Sequence, residues 1–404
     1  MAEFASASFD GATLTSKMVF QFPLIVALLF PLAVVREPEV RVLVEEGSAL
    51  RIAPADGRLL LQNGKGRSLG LISEGLTLRA DGGEIAGLST GLVSELWISP
   101  ESATGSLWLQ QRRYRGRLQL LVSNGRMQAI NRLGIESYLP SVVGAEMPPQ
   151  WPLEALRVQS VAARSYALRQ LRPEATYDLK ATVSSQVYRG LESETDSTRE
   201  AVASTRSLVL TYANRVIDAV FHSSSGGYTE NSGEVWPRQV PYLRSVADYD
   251  QASPVFRWTK QLDASTLLRS FREIGGVESI QPLQTTSTGR LTKVLVRGPE
   301  GELRIGASEL RSRLGLRSTY VKFEVPPPAS APLEALGDWL GLPPPPRLLA
   351  LGRGYGHGVG MSQWGAYGMA QQGQEFGQIL RHYYRGTKLE PYNPVDWPNT
   401  PPLP

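Results

Sequence analysis

Residues 135–168, IESYLPSVVGAEMPPQWPLEALRVQSVAARSYAL, mark the point where an alternating, strand-like chain turns helical. Pro152 suits the first position of a helix, where its missing N–H costs nothing, and the pattern from there to about Gln170 is helical. Ala155, Ala162, Ala163 and Ala167 permit close packing. Arg157, Ser160, Arg164 and Leu168 share one face by three- and four-residue spacing. Ahead of this helix, Gly144-Ala145-Glu146-Met147-Pro148-Pro149 reads as a proline-stiffened turn that carries Glu146. A catalytic acid needs a raised pKa, which desolvation supplies, and Val142, Val143, Met147 and Trp151 offer apolar walls. The competing reading is a carboxylate that only charges the entrance of the helix.

Upstream, residues 39–130 alternate in strand fashion, as in Val40-Arg41-Val42-Leu43-Val44 and Leu118-Gln119-Leu120-Leu121-Val122. Asn63-Gly64, Asp81-Gly82-Gly83 and Asn124-Gly125 supply turns. This predicts a β-rich N-terminal module. Downstream, a core over 131–390 mixes helices and strands. It contains a helix near Glu194–Thr205, and strands at Leu208–Tyr212 and Val216–Phe221 turned by Ala213-Asn214-Arg215. An α/β insert of helix–strand–strand–helix order occupies 261–325, a proline-rich connector 326–346, and a proline-rich tail 391–404. The fold class expected is α+β.

The first 17 residues are Ser/Ala-rich and polar, and read as a disordered leader. Residues 18–35, MVFQFPLIVALLFPLAVV, form an apolar run of signal-peptide or membrane-anchor length with Lys17 in front. The expectation is export to the periplasm or cell envelope, with the inner membrane as a contact where the segment is not cleaved. The formal net charge is +4; Lys17 against Glu3 and Asp10 leaves −1 in the first 35 residues and +5 in the rest. That mild excess, with no dense basic run, argues against nucleic acid as a partner. The chain has no cysteine, so disulfides, thiolate catalysis and cysteine-bearing zinc sites are excluded.

Two further segments carry chemistry. Phe221-His222-Ser223-Ser224-Ser225-Gly226-Gly227 follows a strand and forms a tight polar loop. It lacks the Gly-x-Ser-x-Gly pattern of a serine nucleophile. His222, Ser223, Ser225, Gly226 and Gly227 are instead candidates for holding a sugar or its acetamido group. The second is GRGYGHGVGMSQWGA from Gly352, in which glycines alternate with larger residues. It matches neither a dinucleotide fingerprint nor a phosphate loop, so no cofactor is expected. Ser362 suits the cap of a helix running to about Gln372. Bare backbone beside His357, Gln363 and Trp364 suits the close approach of a flat ligand, while tight packing is the plainer reading of the same glycines. His222, His357 and His382 show no metal-ligand spacing, and no metal is expected.

These clusters, in this order, resemble the stage II sporulation protein D family, which includes amidase enhancers. The matching stretches are SYLPSVVGAEMPPQWPLEALRVQSVAARSYAL, VIDAVFHSSSGGYTENSGEVWP with PYLRSVAD, and GRGYGHGVGMSQWGAYGMA. The resemblance implies a cell-envelope protein acting on peptidoglycan, and for enzyme members a lytic transglycosylase that prefers strands free of stem peptides. It places the catalytic glutamate on Glu146 and other motif positions on Arg164 and His222. Some relatives hold a metal partly through cysteine, which this chain cannot do. Transglycosylation needs one acid, whereas most glycosidases need two carboxylates; Glu230 and Glu234 are the candidate second carboxylates. The alternatives are a non-catalytic glycan-binding enhancer of an N-acetylmuramoyl-L-alanine amidase, and a structural envelope scaffold.

Overall fold

The computed structural model describes residues 37–326 and 348–392. The leader, the apolar segment 18–35, nearly all of the connector and most of the tail lie outside the described residues. Among the described residues, no helix is long and apolar enough to cross a membrane. The architecture is α+β.

The N-terminal alternation does form strands. One sheet has seven strands in the order Leu179–Lys180, Glu39–Gly47, Arg126–Gly134, Arg117–Ser123, Glu95–Pro100, Leu59–Asn63, Ser68–Ile72. A second has five, with Ala49–Pro54 at its centre. Asn124 and Gly125, both at positive φ, turn the hairpin between Arg117–Ser123 and Arg126–Gly134, as the Asn-Gly pair predicts. The inward residues of both sheets, among them Ile52, Leu59, Leu96 and Leu118, join the same apolar core as the helices that follow.

Three helices come next: α1 (Ile135–Glu146), α2 (Leu153–Arg169) and α3 (Asp196–Ser204). The predicted helix after Pro152 is α2, and its N-cap is Pro152 itself. Twelve of its 17 residues are buried, and it packs against α1, α3, the strand Leu208–Tyr212 and both C-terminal helices. A helix apolar on nearly every side is one surrounded by its own protein. α3 starts where Thr195 and Thr198 close a reciprocal capping box.

The stretch before α2 departs from the sequence reading. Glu146 is not on a turn ahead of a helix; it is the last residue of α1. Pro140 and Gly144 are poor helix residues, yet Tyr138, Leu139, Val142 and Val143 bury one continuous stripe, and that burial outweighs the weak local propensity. Gly144 is required by packing: a Cβ there would lie 1.9 Å from the Ser193 carbonyl oxygen.

The second strand pair also differs. Ala213 and Asn214, both at positive φ, turn Leu208–Tyr212 back into Arg215–Val216. Pairing ends there, and Phe221–His222 instead lies parallel to Met361–Ser362. The insert contains three antiparallel strands, Ser279–Thr285, Leu291–Gly298 and Gly301–Gly306, rather than two. A second sheet, Arg257–Leu262, Leu348–Arg353 and Val321–Glu324, frames it. The insert has its own apolar core, drawn from Trp258 through Ala350.

Candidate functional site

Glu146 is half-buried at the carboxyl end of α1. One carboxylate oxygen, Oε1, accepts the Val187 N–H at 2.7 Å, and the Gln363 side chain also hydrogen-bonds to the group. Burial is the largest influence and pushes the carboxyl above the ordinary glutamate range; Val187, Gln363 and the positive charge of Arg189 pull the other way. A helix C-terminus carries partial negative charge, which also disfavours a carboxylate. The result is a carboxyl that burial biases towards its protonated form, with donors in place for its conjugate base.

Gln363 is the first residue of the helix Gln363–Gln371. That helix starts at Ser362, whose side chain accepts the Gly365 N–H at 3.1 Å, the cap expected from the sequence. The Gln363 amide also donates to Gln159 of α2. Trp364 donates its N–H to the Ser223 carbonyl at 3.0 Å, which ties the serine loop to the start of the helix. The fold thus brings Glu146, Ser223, Ser362, Gln363 and Trp364 together.

The inner serines do other work. Ser224 donates to Asp250 and Ser225 to Asp248, and all four residues are buried. Gly226 donates its N–H to Asp250 at 2.8 Å, and Gly227 accepts the Asp248 N–H. Gly226 and Gly227 both have positive φ, so they bend the loop around the aspartates. Burial raises the Asp250 carboxyl, with the Asp248 charge adding to it.

His222 and His357 converge across the chain, with ring centroids 5.3 Å apart. His222 Nδ1 contacts the Val359 carbonyl at 3.2 Å, so Nδ1 carries the proton and buried Nε2 keeps a lone pair without a partner. His357 Nδ1 accepts the Val359 N–H, and its Nε2 donates to the Phe221 carbonyl. Burial lowers both; the neighbouring His357 lowers His222 further, and His357 falls to about 4. Both are neutral imidazoles at physiological pH. His382 lies apart, against Tyr249 and Tyr383. Among the described residues, no three histidine, aspartate or glutamate side chains gather as a metal would require.

Two expectations are corrected. The bare backbone of the glycine segment faces the protein rather than a ligand. Gly354, Gly356, Gly358 and Gly360 all have positive φ, and a Cβ would lie 2.5 Å from the Ser224 carbonyl oxygen, 2.8 Å from His222 Cβ, 2.6 Å from Arg290 Cζ and 2.3 Å from the Val220 carbonyl oxygen respectively. Both candidate second carboxylates are engaged by partners other than Glu146. Glu230 is fully buried against Arg290 and Thr288, and Glu234 accepts from Asn231 and Ser287. Arg164 is buried on the other side of α1's start, bidentate to Glu136 at 2.9 and 2.7 Å, with further bonds to the Leu208 and Val202 carbonyls. It fastens α1, α2 and α3 together.

Val187, Arg189 and Gln159 were not marked by sequence reasoning, because each meets Glu146 or Gln363 from a distant part of the chain. The same is true of Tyr367, whose ring lies 5.4 Å from that of Trp364. Only its three-residue spacing from Trp364 on a helix pointed to it.

Comparison with known proteins matches most of the chain. A family model described as stage II sporulation protein matches residues 123–212. A domain of unknown function matches residues 237–360, which take in the insert. An uncharacterised protein of Brachyspira hyodysenteriae is 32% identical over 286 residues, covering 70% of this chain and 74% of that protein. Stage II sporulation protein D of Bacillus subtilis is 30% identical over 282 residues, covering 65% and 76%. The amidase enhancer of Bacillus subtilis is 29% identical over 309 residues, covering 63% of this chain and 40% of the enhancer.

Proposed function

The chain belongs to the stage II sporulation protein D family, and from that premise we propose that it works at the cell wall as a lytic transglycosylase. It cleaves the bond between N-acetylmuramic acid and N-acetylglucosamine in exported glycan strands, with stem-peptide-free strands as the preferred substrate. Glu146 carries the reading. Burial raises its pKa and so favours the protonated state a general acid needs before the reaction. It gives its proton to the glycosidic oxygen as the C1–O bond breaks. The 6-hydroxyl of the same muramic acid ring attacks C1, a 1,6-anhydro ring closes, and the hydroxyl's proton returns to Glu146. The Val187 N–H and the Gln363 amide hold the carboxylate between the two transfers. No water is consumed, so no second carboxylate is required; the commitments of Glu230 and Glu234 to other partners support this over plain hydrolysis.

The test is mass spectrometry of denuded glycan strands after incubation with the wild type and with Glu146→Gln. Wild type should release 1,6-anhydro-muramic products, and the variant should be slower by roughly 10²–10⁴. Products without the anhydro ring, or an active variant, would sink the reading.

A second reading is favoured by the Bacillus relative named amidase enhancer. In it the same surface holds glycan and stimulates a separate N-acetylmuramoyl-L-alanine amidase. It predicts that Glu146→Gln leaves amidase stimulation intact.

A further inference from the structure

Three aromatic rings on the segments that adjoin Glu146 and its Gln363 donor pack on one another and belong to no step of the chemistry above. Trp151 and Trp364 have ring centroids 4.7 Å apart, Trp151 and Tyr367 4.9 Å, and Trp364 and Tyr367 5.4 Å. Trp364 and Tyr367 come from the helix that reaches Glu146 through Gln363, and Trp151 from the segment that follows Glu146. Trp151 sits in the Pro148–Pro152 corner between α1 and α2, closed by the Trp151 N–H to the Pro148 carbonyl. Trp364 and Tyr367 share one face of the helix whose first residue, Gln363, bonds the carboxylate. Trp151 packs against the apolar core, whereas Trp364 and Tyr367 rest on it and on each other, outside that core and partly exposed.

We propose that Trp364 and Tyr367, braced from behind by Trp151, form the subsite that stacks one pyranose face of an N-acetylhexosamine next to the bond being cut. The proposal rests on the glycan reading above and names how the sugar is held. In a β-linked gluco-configured ring every substituent is equatorial, so each face presents a patch of axial C–H groups that an aromatic face covers well. The interplanar angles, 62° for Trp151–Trp364 and 70° for Trp364–Tyr367, mean that the three rings cannot lie flat on one sugar. One ring stacks and the others fix its tilt. Trp364 is the stacking ring, because it directly follows Gln363 in the helix. Such a subsite reads the ring and not its 3-O-lactyl arm, so neutral N-acetylglucosamine oligomers are sufficient ligands.

The probe is the β-1,4-linked tetramer of N-acetylglucosamine, titrated calorimetrically into the full chain carrying Glu146→Gln. Trp364→Leu and Tyr367→Leu added to that protein should each weaken binding by about tenfold or more, while Trp364→Tyr, which keeps a ring face, should stay within about threefold. Circular dichroism reports whether each variant is folded. Protection of indole fluorescence from iodide in Glu146→Gln reports the same contact with the rings untouched. Unchanged affinity in both leucine variants, equal losses in Trp364→Tyr and Trp364→Leu, no iodide protection, or no binding by Glu146→Gln overturns the proposal. If that protein binds through these rings while the wild type yields no anhydro products, the transglycosylase reading fails and the subsite stands. If the wild type cleaves and the leucine variants bind unimpaired, the subsite fails and the reading stands.

Discussion

Arg290 Nη2 donates to the Ser225 carbonyl at 2.6 Å, so a side chain from the insert grips the backbone of the serine loop. The same guanidinium reaches the Gly356 carbonyl at 3.3 Å and lies 3.1 Å from Glu230 Oε1. The contact with Glu230 is a close ion pair rather than an aligned hydrogen bond, since Arg290 Nε lacks a hydrogen-bond partner. Both partners are almost wholly buried. The insert is therefore joined to the site by charge as well as by chain.

Removing one member of such a pair strands the other charge out of water. Arg290→Met should lose about 3–5 kcal/mol in denaturant unfolding. Arg290→Met with Glu230→Gln should recover a large part of it, because no uncompensated carboxylate remains. A double variant no more stable than Arg290→Met would show that packing, not charge, holds the joint.

Glu146 should reveal itself in stability as well as rate. Its folded pKa is raised by burial, so the folded state binds the proton more tightly than the unfolded chain. Stability from this group is full below the ordinary glutamate pKa of about 4.3 and is lost as pH rises through the folded value. Glu146→Gln should melt with the wild type at the acid end and above it at neutral pH. A melting difference independent of pH would contradict the buried carboxyl.

The histidine pair gives the opposite slope. His357 falls to about 4, and His222 is lowered as well. The unfolded chain takes up protons near pH 6.5 while the folded rings stay neutral. Stability is thus complete above about 6.5 and declines towards 4, by about 1.4 kcal/mol per pH unit for each ring. Burial first, then the positive charges of Arg290 and Arg311, keeps His357 neutral against the pull of the Phe221 carbonyl. His357→Gln should remove one of the two steps; NMR signals assigned to the His222 or His357 imidazole that titrate near pH 6.5 in the folded protein would refute the assignment.

Local signals in the sequence survived into the structure. Ser362 caps the helix it was expected to cap, Pro152 opens α2, and Asn124-Gly125 turns its hairpin. Each depends on residues a few positions apart. What the sequence hid depends on distant partners. Gly144 looked like the start of a turn, because nothing nearby shows that Ser193 presses on it. The alternating glycines looked open, because Ser224, His222, Arg290 and Val220 reach them from elsewhere in the chain. Asp248 closes the PYLRSVAD stretch with no role legible there, and Asp250 lies outside the matching stretches, yet both anchor the serines.

The parallel pairing of Phe221–His222 with Met361–Ser362 also sets an order of events. A growing chain makes the first of these strands, then the whole insert, and only afterwards its partner. Gln363 follows directly, so the side-chain donor for Glu146 is among the last parts of the site to be synthesised. A nascent or truncated chain that stops within the insert already contains α1 and its glutamate, but that carboxyl lacks the side chain that helps enclose it. Acid strength at Glu146 is in this sense a property of the finished protein, switched on by the last stretch of folding rather than by the residue itself.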